Sequence, residues 1–440
     1  MTFSLPFEPF PPEEPGGRGK HPFLQRVYES AVTAADAYHV VRQAVRVDKG
    51  VLRIGNRFLR VDTFREIGFV AVGNAAGSMA HAFCHSLGDR VGRGFVAGPD
   101  PPPPEVPFRS EAVPLPGFAT PASDRVAEAA LEIADGMDEG DLLVVLLSPG
   151  GLGLLAQPPQ SWGRPFFSEW IERCRAAGAT GSELGLVLRL LARGPVGGGL
   201  ARSVPKAQVE TLIIDRGDGP AQLAGGPTIV PRPEERLRGR SLLDRWTMRS
   251  TLQGVEGGAF EPDTTSARSA GANVRRPVVI AQPADAVRGA ADMISERKWV
   301  PRLVALRLPD PADAAAREFL DHVEKASLQA SRVPATGDSR GLVLLAGTTL
   351  DTLEGVDERS GFGRFLHDSA AHIRRRGIIV GILRTAGGAG PATEAPGQCV
   401  FATGSASSAS PFSQGGLMMH PGITDVGCLA VAIVPFAGTS

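Results

Sequence analysis

The chain has 440 residues and a mass of 46.1 kDa; at roughly 150 residues per domain this predicts two or three domains. Hydrophobic residues at 42% and charged residues at 21% exclude wholesale disorder. The 54 glycines and 37 prolines, about a fifth of the chain, describe a loop-rich globular protein. A net charge of −1 argues against nucleic acid as a partner, since a polyanion-binding surface shows as a basic excess.

Only five of the 46 basic residues are lysines (Lys20, Lys49, Lys206, Lys298, Lys325). Cys84, Cys174, Cys399 and Cys428 lie far apart with no C-x-x-C, the usage of reduced thiols rather than a disulfide frame or zinc site. Residues 1–22 are rich in Pro and Glu and lack the apolar core of a signal peptide. The longest apolar run, 142–156, is broken by Pro149-Gly150-Gly151 and falls short of the ~20 residues of a membrane span. A cytoplasmic protein without a membrane partner is expected.

In chain order, residues 23–45 are Ala-rich with apolar residues at helical spacing, which predicts a helix. Residues 68–72 form a continuous apolar run of the buried parallel type, followed by a glycine turn at 73–77 and a helix at 78–87. Residues 106–113 are a further strand candidate, and 123–137 a helix with Ser123 as its N-cap. Residues 141–147 are a buried strand leading into a second glycine turn, 148–153. Helices at 165–176 and 182–192 and a strand at 209–214 follow. This alternation predicts a doubly wound, Rossmann-like α/β domain over 23–231. Residues 232–275, rich in Arg, Gly, Ser and Thr with weak periodicity, are expected to be a connection or insertion. Alternation resumes with strands at 278–281, 303–307, 341–345, 378–383 and 428–434 and helices at 285–296, 312–328 and 363–375. A smaller α/β domain is therefore expected over 276–440.

Three turns share one design, a buried strand delivering glycines: Gly73-Asn74-Ala75-Ala76-Gly77, Ser148-Pro149-Gly150-Gly151-Leu152-Gly153 and Gly217-Asp218-Gly219. Exposed backbone N–H groups in such turns, with a helix N-terminus behind them, hold phosphate or carboxylate. None is a Walker A or a clean G-x-G-x-x-G sequence, and tight strand–helix packing without a ligand explains any one of them equally well. Three together favour an anion site at the carboxyl edge of the sheet.

The order and wording of these segments resemble the glycerate 2-kinase family, two-domain proteins ending in a MOFRL domain. Residues 72–80 (VGNAAGSMA) look like the family's VGKAAGxMA turn, and 147–152 (LSPGGL) resemble its LSGGGSAL loop. Gly178-Ala179, Glu183 and residues 197–201 (GGGLA) are similar to its GA…E.N.VR…KGGRLA stretch. Asp215, Gly217-Asp218 and Gly225-Gly226-Pro227-Thr228 resemble SDV.GDD…ASGPT; residues 385–391 look like TDG.DGPT and 422–429 like GTNV.DL. The resemblance implies ATP-dependent phosphorylation of D-glycerate to 2-phosphoglycerate, with ATP and Mg²⁺ as cofactors. It assigns Asn74, Asp215, Asp218 and Arg364 to catalysis and Asp215 and Asp218 to the metal. Gly73, Gly77, Ser148, Gly150, Gly151, Thr228, Gly422, Thr424 and Asp425 would bind the cofactor. The expected ligand is a small organic anion or nucleotide in a cleft between the domains.

Charged family positions are repeatedly neutral in this chain. The first-turn lysine is Asn74, the lysine of KGG falls at Val196, and the asparagine and arginine of N.VR at Gly185 and Leu188, with Arg189 next door. The GGRNQEL arginine falls at Phe362 or, with a slip, Arg364; both aspartates of TDG.DG are alanines, Ala386 and Ala389. The loop Ser148-Pro149 lacks the first glycine's N–H. Phosphoryl transfer rests on positioning and charge neutralisation, so losing several cations costs many orders of magnitude. A degenerate, catalytically impaired kinase fold is the expectation. The alternatives are an active small-molecule kinase with relocated arginines, or a non-catalytic ligand- or partner-binding protein.

Other residues have bland readings. His81 and His85, at i and i+4, lack the third ligand of a metal site and read as exposed helix histidines. His367 beside Asp368 diverges from it on a helix; His420 lies in the C-terminal loop, and Asp357-Glu358-Arg359 reads as solvated. Ser148 has the setting of a nucleophile elbow, but Pro149 removes the N–H an oxyanion needs.

Overall fold

A computed structural model describes residues 22–99, 102–113, 120–159, 162–177, 179, 181–204, 206–215, 226–246, 273–305, 308, 312–330, 341–348, 379–384, 399–403, 413–414 and 428–435. The chain divides into two compact units.

The first unit, residues 36–282, is built on a six-stranded sheet. Its strands are β4 (Ile67–Val72), β5 (Val91–Gly98), β6 (Arg109–Ala112), β7 (Leu142–Leu147), β8 (Gln208–Ile214) and β9 (Val278–Ala281), in the order β6-β5-β4-β7-β8-β9. Every pairing is parallel. β4 and β7 are buried at every residue, which is why both read as unbroken apolar runs rather than alternating ones. Helices α3 (Ala76–Leu87) and α4 (Pro121–Asp135) are the crossovers from β4 and β6, and α5 (Gly151–Leu155), α6 (Arg164–Ala176), α7 (Gly181–Leu191) and α8 (Gly199–Arg202) lie between β7 and β8. The cap of α4 is Thr120, not Ser123: Thr120 accepts the Ser123 N–H, and Ser123 at N3 returns a bond to the Thr120 N–H, closing a capping box.

The expected helix over 23–45 is two helices, α1 (Pro22–Ala34) and α2 (Ala37–Ala44). Asp36 caps α2 by accepting the His39 N–H at 2.8 Å. A small antiparallel meander follows, β1 (Val45–Asp48), β2 (Val51–Ile54) and β3 (Arg57–Arg60). Part of the expected connection is also regular. Helix α9 (Pro233–Arg245) packs on α7, burying Leu242, Leu243 and Trp246 with Phe167 and Trp170 of α6.

The amino edge of the sheet is held by two bidentate ion pairs. Arg65 grips Asp141 at 3.0 and 2.7 Å, and Arg93 grips Glu66 at 2.7 Å through both nitrogens. Burial alone would raise the Asp141 carboxyl, but the Arg65 hydrogen bonds and the Asp138 N–H hold it below its ordinary value.

The second unit joins α1 to the residues from 283 onward. It contains α10 (Pro283–Glu296), α11 (Ala312–Ala330) and a mixed sheet of β10 (Val300–Ala305), β11 (Gly341–Thr348), β12 (Ile379–Arg384), β13 (Cys399–Thr403), β14 (Ser413–Gln414) and β15 (Cys428–Pro435), ordered β10-β11-β15-β12-β13-β14. Only β10 and β11 run parallel; the other pairings are antiparallel. Phe319, Leu320 and Val323 of α11 pack on Leu344 and Ala346 of β11 and Ala430, Ala432 and Val434 of β15.

Two elements sit apart from the sequence expectation. β9, expected to open the second domain, pairs with β8 and is the edge strand of the first sheet. α1, expected to open the first domain, packs on α10. Gly289 permits that approach: a Cβ there would lie 2.4 Å from the Ala34 Cβ and 2.6 Å from the Ser30 carbonyl. The expected helix at 363–375 lies outside the described residues. No described helix is long and apolar enough to cross a membrane.

Candidate functional site

From β4 the chain steps outward to β5 and β6, then returns to place β7 on the other side of β4. The topological switch point therefore falls between β4 and β7, where ligands of open α/β sheets bind beyond the carboxyl ends. The register Val72↔Leu147↔Ile213 brings the ends of β4, β7 and β8 level. Gly73 and Ser148 consequently stand side by side along this edge, and Asp215 lies one residue beyond the position level with them.

The two described glycine turns pack on each other. Ser148 donates its N–H to the Val72 carbonyl at 3.1 Å, and its carbonyl accepts the Gly151 N–H at 3.1 Å. The Asn74 N–H donates to the Pro149 carbonyl at 2.9 Å, and the Ala75 N–H to Ser148 Oγ at 2.9 Å. The Gly73 N–H is taken by the Ala97 carbonyl at 3.0 Å and the Ala76 N–H by the Gly73 carbonyl at 3.2 Å. A Cβ on Gly73, whose φ is +125°, would lie 2.3 Å from the Ser148 carbonyl oxygen; one on Gly151 would lie 2.6 Å from that of Val72. These glycines let two backbones cross, and the N–H groups of residues 73–76 are satisfied within the protein. Ser148 is 1% exposed, so it is a buried pin between the turns and not a nucleophile on an elbow. Gly150, at φ +86°, is the N-cap of α5.

The remaining assigned residues separate. Asp215 is buried at the end of β8, its N–H on the Ala281 carbonyl at 2.8 Å. Thr228 is buried too, its hydroxyl 3.0 Å from that of Thr211, four residues back from Asp215 along the chain. That is an interior position rather than one on the edge. Val196 and Leu188 are core residues. Gly198 and Ala201 donate to the carbonyls of Gly226 and Pro227 at 3.0 and 3.2 Å, so the 197–201 and 226–228 segments brace each other. Asp218, Arg364, Phe362, Ala386, Ala389, Gly422, Thr424, Asp425, His367, Asp368, His420 and residues 357–359 lie outside the described residues.

Arg189, the neighbour offered as a relocated cation, has a side chain with 0% exposure. It donates to Glu235 of α9 at 2.8 Å, and among the described residues its Nε and second terminal nitrogen have no hydrogen-bond partner. Burial alone would raise the Glu235 carboxyl, but the Arg232 N–H and Arg189 hold it below its ordinary value. The described turns themselves carry no basic residue.

The histidine pair lies beside Tyr38, with His81 half-buried and His85 exposed. Tyr38 hydrogen-bonds His85 Nδ1 and lies 4.9 Å from the His81 ring, and the two imidazoles stack at 6.4 Å. Among the described residues no group of three or more His, Cys, Asp or Glu is arranged to hold a metal.

The family model for a domain of unknown function, DUF4147, matches residues 23–256, more than half of the chain. A glycerate kinase of Danio rerio is 34% identical over 134 residues, 30% of this chain and 26% of that protein. A glycerate kinase of Homo sapiens is 28% identical over 222 residues, 47% of this chain and 42% of that one. The chain thus spans less than half the length of these relatives. The crystal structure of a glycerate kinase from Thermotoga maritima shares the fold, with a TM-score of 0.67 at 18% identity over 94% of this chain and 99% of that one.

Proposed function

The chain belongs to the DUF4147 family, and from that premise we propose that it is a glycerate 2-kinase-family protein with impaired phosphoryl transfer. The family reaction is ATP-dependent phosphorylation of D-glycerate. The observation that carries the reading is the state of the first turn. The N–H groups of Asn74 and Ala75 are engaged by Pro149 and Ser148, and Asn74 itself brings no charge. Phosphate at a glycine turn is held by free backbone donors, and phosphoryl transfer adds a cation; the donors of residues 73–76 are already engaged and neither described turn carries a basic residue. The first turn is therefore a poorer phosphate cradle than its glycines suggest. Asp215, with Asp218 three residues on, is the assigned carboxylate for a hydroxyl or a metal.

The test is D-glycerate-dependent ADP release from ATP–Mg²⁺ by the pure protein, with Asp218→Ala as control. No turnover above background, with folding intact, is expected. Turnover near the ~1 s⁻¹ low end of ordinary enzymes, abolished in Asp218→Ala, would overturn the reading and leave an active kinase.

A further inference from the structure

An open pocket of about 440 Å³ lies in the first unit, and no residue of either glycine turn lines it. Its walls are Asp124 and Glu128 on α4, Gln157 and Pro158 beyond α5, Trp162, Arg164 and Pro165 at the start of α6, and Arg193 beyond α7. Two arginines and two carboxylates thus line it, together with two prolines and an indole.

The charges do not cancel pairwise. Arg164 is bound to Asp124 in an ion pair. Arg193 gives its Nε–H to the Pro158 carbonyl at 2.9 Å, and no described residue accepts from its terminal nitrogens. Glu128 has no ion-pair partner among the described residues, so one cation and one anion stand apart on the same cavity. Gln157 and Arg193 are fixed to each other by a two-way backbone bridge, at 3.2 and 2.9 Å. The backbone of Arg193 is therefore fixed, and its side chain is tied to Pro158 through Nε alone. The Arg164 Nε is buried without a hydrogen-bond partner among the described residues, an orphan donor of the kind that a bound acceptor ordinarily explains. Trp162 is fixed edge-on between Phe166 and Trp170.

A ligand for this cavity carries one negative and one positive group with an apolar part between or beside them. We infer that it is a binding site for a small neutral amino acid with an apolar side chain, its carboxylate on Arg193, its ammonium on Glu128, and its side chain against Pro158, Trp162 and Pro165. A hydroxy acid such as glycerate satisfies only the arginine half. The inference is independent of the kinase reading, since the two sites share no residue.

The experiment is calorimetric titration of the full chain with L-leucine, its hydroxy analogue 2-hydroxyisocaproate and its decarboxylated analogue isoamylamine, with Trp fluorescence as a second readout. L-leucine is expected to bind at least about tenfold more tightly than either analogue, as expected for a hydrogen bond to a charged group. Glu128→Gln should abolish the preference over the hydroxy acid and leave binding of the latter unchanged. Arg193→Gln should weaken L-leucine at least about tenfold, and Arg193→Lys should recover part of the loss, provided each variant keeps the wild-type melting temperature. A variant that melts early is replaced by Gln157→Ala, for which a weaker affinity is likewise expected. Equal affinity for the amino acid and its hydroxy analogue would overturn the assignment, as would absence of heat and fluorescence change at 20 mM L-leucine.

Discussion

Ser148 Oγ accepts the Ala75 N–H at 2.9 Å, so the side chain of one strand-end turn caps the backbone of the next. Ser148→Ala leaves a buried N–H without an acceptor and should cost about 1–3 kcal/mol. Gly73→Ala is worse, because its Cβ would meet the Ser148 carbonyl oxygen at 2.3 Å from a left-handed backbone; a loss of about 3 kcal/mol or more is expected. Urea unfolding of the two variants checks both values, and an unchanged midpoint for Gly73→Ala would mean the turns are not locked together.

Glu235 holds a wholly enclosed arginine, so the two partners are unequal. Glu235→Gln strands the Arg189 charge and should destabilise by about 3–5 kcal/mol. The double variant Arg189→Met, Glu235→Leu removes both charges and should sit close to wild type. Thermal denaturation of the single and double variants decides it, and a double variant as weak as the single one would contradict the account.

Asp141 makes the fold acid-sensitive with a definite sign. Its folded pKa lies below the ordinary value near ~3.9, so the unfolded chain takes up the proton first as pH falls. The stabilisation is complete above that ordinary value and is lost as pH drops toward and through the lowered folded one. Asp141→Asn should therefore be less stable than wild type at pH 7, with the gap closing in acid. Unfolding free energies measured from pH 7 down to pH 2.5 would show a constant gap if the Arg65 pair contributed nothing.

The buried strands were legible because a parallel sheet covered on both faces needs no alternation: residues 68–72 and 141–147 announce themselves as apolar runs. The glycines after them were also visible, but their reason was not. Sequence alone does not distinguish a glycine that admits a phosphate from one that admits a neighbouring turn, and Gly73 and Gly151 are of the second kind. The meander β1–β3 escaped notice because its strands are four residues each and studded with arginines. Helix α9 did so because only Leu237, Leu242 and Leu243 are apolar among its thirteen residues, and Leu237 points to water. Which sheet β9 joins is a matter of pairing, and local composition holds no record of it. Arg189 looked like a displaced active-site cation by position, yet its side chain is enclosed beside Glu235.

The docking of α1 on α10 fixes an order of events at the ribosome. Residues 36–282 are contiguous and carry their complete parallel sheet once β9 has emerged. Helix α1 leaves the exit tunnel ahead of the first unit but finds its partner surface only when α10 follows, about 250 residues later, a wait on the order of 10–50 s at ordinary synthesis rates. During that interval the apolar face of α1, with Val27, Tyr28, Ala31 and Val32, is without its final cover. Helix α1 is therefore made long before the helix it packs on, and nascent chains halted before residue 283 lack that partner.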